Sequence, residues 1–167
     1  MSHRLAGIIA LAVCCMVLNE GNQLEARELH RTIRNAQRKV VKIYGAGGLR
    51  QMEAYHSSPF PLPAIPAYQT GVLISPEGHI LTAMSYVLDT DDLVAVLDDG
   101  RKLHPEIVGT DPVRELAVLR PKAEQSDLPY FDLSTSVTGY AGQRVLAVSN
   151  LYGIATGNEA ASVLQGV

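Results

Sequence analysis

After residue 40 the chain is divided into short apolar runs, each too brief for an ordinary helix and each closed by turn residues. "VVKIYG" (Val40 to Gly45) is β-branched and aromatic, and "TGVLIS" (Thr70 to Ser75) leads through the turn "SPEGH" into "HILTA" (His79 to Ala83). "LVAVLDDGRKLHPEIVGTD" (Leu93 to Asp111) carries a hairpin signal at Asp98, Asp99 and Gly100, and "ELAVLRP", "QRVLAVSN" and "AASVLQGV" follow it. Runs of this length, spaced by Gly, Pro, Asp and Asn, are the pattern of antiparallel strands in a sandwich or barrel. No helical period returns after residue 40, which argues against alternating strand and helix. The expected fold class is all-β.

Two other stretches break this rhythm. From Arg27 to Lys39, apolar Leu29, Ile33, Ala36 and Val40 recur at spacings of four, three and four, while Arg27, Arg31, Arg34 and Arg38 fall elsewhere. This predicts a short amphipathic helix with a basic outer face. Such a face is either a solvated surface on a helix docked to the body or a contact for an anionic membrane. Between Ala46 and about Tyr68, Pro59, Pro61, Pro63 and Pro66 exclude helix and central strand. The segment reads as a long surface loop, with its Pro-x-Pro spacing as a peptide-ligand alternative.

The N-terminus has export anatomy. Met1 to Arg4 is positively charged, and "LAGIIALAVCCMVL" (Leu5 to Leu18) is apolar but short for a membrane span. Residues 1–26 are read as a signal peptide, with retention as an N-terminal anchor left open because Leu24 is large for a cleavage-site position. Membrane association is expected only through that segment if it stays uncleaved. Cys14 and Cys15 lie inside the apolar run as filler, and Val13 does not suit a lipid-attachment signal. The chain beyond them has no thiol, so it has no disulfide and no cysteine metal site. The net charge of −3 gives no electrostatic case for nucleic acid as a partner. At 167 residues and 47% hydrophobic content, one globular domain is expected, covering residues 40–167.

In order and spacing, "QTGVLISPEGHILTAMSYVLD", "VLDDGRKLHPEIVGTDPVRELAVLRP" and "GQRVLAVSNLYG" resemble the trypsin-like serine proteases, specifically their bacterial HtrA/Deg-type branch. The resemblance runs from about Val40 to Val167. It implies a chymotrypsin-type Greek-key β-barrel, the first barrel plus the start of a second, apparently incomplete at the C-terminus. It also implies export to the periplasm or cell envelope, a peptide or unfolded protein segment as partner, homo-oligomers, and no cofactor or metal.

The same resemblance locates the chemistry. In the family a His follows the strand ending in "L-T", and that position falls on Tyr86 when counted from "VLD" or on Ser85 when counted from "LT". A general base must accept a proton near neutral pH, which imidazole does; a tyrosine of ordinary pKa about 10 is almost wholly protonated there. Tyr86 is read either as a hydrogen-bonding contact for a bound peptide or as filling a vacated cleft edge. The family's orienting Asp falls on Glu115, which keeps the charge and adds a methylene; Asp111 belongs to the turn before it. The nucleophile is missing: Ser134, Ser136, Ser149 and Ser162 lack the flanking glycines that build an oxyanion pocket. His30, His56, His79 and His104 are scattered and read as solvated or structural, and a metal site built from them is not expected. The reading is a trypsin-fold protein, inactive as a protease in this chain, that binds peptide or protein. The alternatives are the N-terminal part of a serine endopeptidase completed downstream, or a structural envelope module.

Overall fold

A computed structural model describes residues 25–46, 67–84, 90, 92–155 and 158–167. Ser85, Tyr86, His56, the proline-rich segment and the N-terminal apolar run lie outside the described residues. The chain divides into two compact units, residues 1–35 and 36–167. A helix over residues 25–37 (α1) begins and ends two residues earlier than the apolar spacing suggested, and Arg38 and Lys39 form the turn that follows it.

The body is built on strands β1 (Val40–Ala46), β2 (Ala67–Leu73), β3 (Ile80–Ala83), β4 (Asp92–Val96), β5 (Lys102–Leu103), β6 (Pro105–Asp111) and β7 (Leu116–Pro121). They form one antiparallel sheet in the order β5-β4-β1-β2-β3-β7-β6. Only His104 separates β5 from β6, yet these strands lie at opposite edges of that order. The sheet is therefore curled until its two edges meet in one run of chain, which pairs with β4 through Lys102 and Leu103 and with β7 from Pro105 onward. A register shift between Ile107 and Gly109 in β6 supplies a local bend.

Alternation decides which side chains enter the barrel. Val41 and Ile43 of β1, Leu73 of β2, Ile80 of β3, Leu93 and Ala95 of β4, and Leu119 of β7 form one buried cluster with Leu97, Leu103 and Leu128. Gly71 is required at the centre of this packing. A Cβ there would lie 2.5 Å from Ile80 Cγ2, 2.7 Å from Ile43 Cδ1 and 2.9 Å from Val41 Cγ2. The expected hairpin after β4 is present. Gly100 takes φ +83°, its amide donates to Leu97, and Asp99 accepts from the Arg101 amide at 3.0 Å.

The outer side of β1 and β4 is also covered. Val94 and Val96 pack with Ala155 and Tyr44, and Lys42, only 4% exposed, reaches Glu159 at 3.0 Å. The buried Gln37 side chain donates to the Ala161 carbonyl at 2.7 Å. A strap from the C-terminal part of the chain thus lies along the outside of the barrel. Beyond it, β8 (Val145–Ser149) and β9 (Ser162–Gly166) pair antiparallel along their whole length. The last apolar run, "AASVLQGV", thus has a partner within its own chain. The backbone groups that face β8 are satisfied, because the strap turns residues 162–166 back beside residues 145–149.

Candidate active-site region

The acid position, Glu115, lies at the end of the barrel where β3 stops. There Ala83, the last residue of β3, pairs with Leu116, the first of β7. The next amide, on Met84, donates to the Glu115 carbonyl at 2.8 Å. Ser85, the following residue, and Tyr86 lie outside the described residues, and both stay open as the base position. Thr82, the threonine of "LT", is buried and donates its hydroxyl to the Thr70 carbonyl at 2.9 Å. It pins β3 to β2.

Glu115 takes φ +55°, a left-handed conformation that Asn, Asp and Gly adopt more readily than Glu. The residue is exposed, and its carboxylate makes no hydrogen bond or ion pair with any described residue. Asp111 is fully engaged by contrast. It accepts from the amides of Val113 and Arg114 at 3.0 and 3.1 Å and from the Arg114 guanidinium at 2.7 Å. The Arg114 side chain, with those amides, holds the Asp111 carboxyl below its ordinary value. Asp111 therefore caps the β6–β7 turn and sets the path on which Glu115 sits.

The described histidines and serines have local roles. His79 Nδ1 lies 2.8 Å from the Ser75 hydroxyl, and that hydroxyl accepts from the His79 amide, closing the turn before β3. His30 and His104 are exposed. Ser134 donates to Asp132 as part of the cap on the short 3-10 helix Leu133–Thr135, and Ser136 closes its other end. Ser149 and Ser162 face each other across β8 and β9. No cluster of three metal-ligating side chains occurs among the described residues.

Two residues that motif spacing did not single out lie close to the β3 end. Gln69 donates to the Ala83 carbonyl at 3.0 Å, while its Oε1 is buried without a hydrogen-bond partner. The Asn150 amide donates to the Thr70 hydroxyl at 2.9 Å and its Oδ1 accepts from Ile154, while its Nδ2 is buried and unpartnered. One unpaired acceptor and one unpaired donor thus flank Thr70, on elements far apart in sequence. At the other end of the barrel a cavity of about 150 Å³ is lined by Leu73, Leu97, Leu128, Arg38, Asp99 and Asp127 among others. It lies away from the base and acid positions.

Comparison with known proteins agrees with this geometry. Residues 69–167 match the trypsin-like peptidase domain family. A probable periplasmic serine endoprotease DegP-like of Pseudomonas fulva is 35% identical over 107 residues, covering 64% of this chain and 20% of the relative. The serine endoprotease DegS of Salmonella typhimurium is 34% identical over 85 residues, covering 51% and 24%. The crystal structure of the serine endoprotease from Yersinia pestis superposes with a TM-score of 0.61 at 25% identity, over 83% of this chain and 43% of that one. The chain spans about a fifth to a quarter of the curated relatives it matches. With the curled antiparallel barrel, the β3–β7 junction and these matches together, the chain belongs to the trypsin-like peptidase domain family, in its bacterial HtrA/Deg-type branch.

Proposed function

We propose that this chain is an exported trypsin-fold protein that binds extended peptide or unfolded protein segments without cleaving them. The observation that carries the reading is the base and acid pair. Met84, at the end of β3, bonds to the acid position, and the residues that the family pattern assigns to base and acid are Ser85 or Tyr86 and an exposed Glu115. None of them is an imidazole, and no Gly-x-Ser-Gly occurs in the chain. Without a base to take the proton and a nucleophile to attack, a bound peptide is held and released unchanged. Export is supported by the N-terminal apolar run and by relatives named as periplasmic.

The test pairs a fluorophosphonate probe with a binding assay on unfolded casein. Saturable casein binding without cleavage or serine labelling is expected, and labelling that heat unfolding abolishes would overturn the reading. A reporter that works only outside the cytoplasm, fused after residue 30, checks export; activity no higher than a leaderless control would exclude it. The short share of the relatives that the chain spans favours a second reading, the N-terminal part of a longer endopeptidase. The coding sequence past Val167 decides between them, since a Gly-Asn-Ser-Gly-Gly there supports the second.

A further inference from the structure

We infer that the basic face of α1 is a docking surface for an anionic phospholipid bilayer. At about 100° per residue, Arg27, Arg31 and Arg34 fall within an arc of about 60° along the helix. Glu25 and Glu28 lie outside that arc, and apolar Leu29, Ile33 and Ala36 occupy roughly the opposite side. Residues 25–32 are all exposed, so the described structure leaves the outer half of this stripe in solvent. Arg31 makes one acidic contact, with Glu28 at 3.8 Å, but those side chains are 80% and 76% exposed, so the contact is loose and solvent-screened. Glu28 therefore screens Arg31 only weakly.

Three observations select a bilayer as the occupant. A straight row of like charges on one side of a short helix suits a flat anionic surface, whose attraction acts within about 10 Å at ordinary salt. The whole chain carries −3, so an anionic partner is met by this stripe alone, and three charges suit a surface touched at one patch rather than a polyanion that needs a long basic track. The helix also starts six residues after the apolar run Leu5 to Leu18. Six residues reach about 20 Å at most, so whenever that run is in a membrane the stripe is close to the headgroups. The inference does not depend on the loss of hydrolysis.

The experiment is flotation of the full chain with vesicles of phosphatidylcholine alone or mixed with phosphatidylglycerol. The leader carries Arg4 and adds its own share of the increment caused by anionic lipid, so the readout is the difference in that increment between the parent and a variant with the same leader. Each basic side chain near such a surface contributes roughly a fivefold change in partitioning. Replacing Arg27, Arg31 and Arg34 together by Gln is therefore expected to lower the increment at least tenfold, with unchanged circular dichroism. High salt should lower it similarly, and replacement by Lys should retain it, since the bilayer responds to charge. Equal binding to both vesicles, an unchanged Gln variant, or loss in the Lys variant would overturn the inference. So would tighter binding of duplex DNA than of anionic vesicles at the same salt.

Discussion

The Met84 amide donates to the Glu115 carbonyl at 2.8 Å, and this one bond joins the strand that leads to the base position to the residue in the acid position. The bond uses only main chain, so it forms whatever the two side chains are. The backbone junction at the acid position is therefore independent of which side chain occupies it. Neither Ser85→His nor Tyr86→His, alone or with Glu115→Asp, is expected to give casein hydrolysis, because the nucleophile is also missing. Cleavage above the unmodified chain would show a serine that motif reasoning overlooked. Glu115→Asp should itself raise stability by about 0.5 kcal/mol in urea denaturation, since Asp tolerates the left-handed backbone better.

Gly71 tests the barrel. A methyl there meets Ile80, Ile43 and Val41, all inside 3 Å. Gly71→Ala is expected to cost about 3 kcal/mol or prevent folding, because three core side chains must shift together. Gly109 is the control: an added Cβ meets nothing within 4 Å, so Gly109→Ala should stay within about 0.5 kcal/mol of the parent.

Gly71 also shows what was legible in the sequence. Strand positions followed from alternation and turn residues, and the β4–β5 hairpin from Asp98, Asp99 and Gly100, because these are local rules. The chain order of the slots followed from the same motifs. What could not be read was which segments meet across long separations. That β9 returns to β8, that Lys42 reaches Glu159 and that Asn150 bonds Thr70 each join residues set apart by loops that carry no periodic signal. The left-handed Glu115 was equally hidden, since its type gives no hint of its φ.

Lys42 tests the strap. Its side chain is 4% exposed, whereas that of Glu159 is 44% exposed. Removing the lysine deletes packed methylenes together with a charge contact, so Lys42→Ala should cost about 2 kcal/mol. Lys42→Met keeps the stem and should recover more than half of that. Hydrogen exchange across residues 158–161 should quicken in the alanine variant; an unchanged rate would mean that the strap is held without this contact.

Acid should loosen the β6–β7 turn. The Asp111 carboxyl is held below its ordinary 3.8 by the Arg114 side chain and the neighbouring amides. A depressed carboxyl stabilises the folded turn above its unfolded value, and the contribution is lost as pH falls from about 4 through the folded value. The amides of Val113 and Arg114, which donate to Asp111, should lose exchange protection in that window after correction for intrinsic rates. Asp111→Asn should remove the pH dependence; a parent turn that stays equally protected at the lowest pH would refute the assignment.

The hairpin of β8 and β9 leads to the last prediction. Its two strands pair only with each other among the described residues, so each presents an outer edge of unpaired backbone groups. Neither strand contains a charged residue. Because Ala147 pairs with Leu164, Val145, Ala147 and Leu164 share one face, and Val145 and Leu164 are 50% and 53% exposed. An uncharged edge beside an apolar face pairs with a like edge without charge repulsion, so the chain is expected to associate as its concentration rises. Leu164→Lys places a charge on that face and brings like charges together when two copies pair, which should shift the chain toward monomer while leaving the barrel folded. Sedimentation velocity on both chains, with circular dichroism as the folding check, measures this. A parent chain that stays monomeric at every concentration would mean that the two edges are protected by their twist or by neighbouring residues.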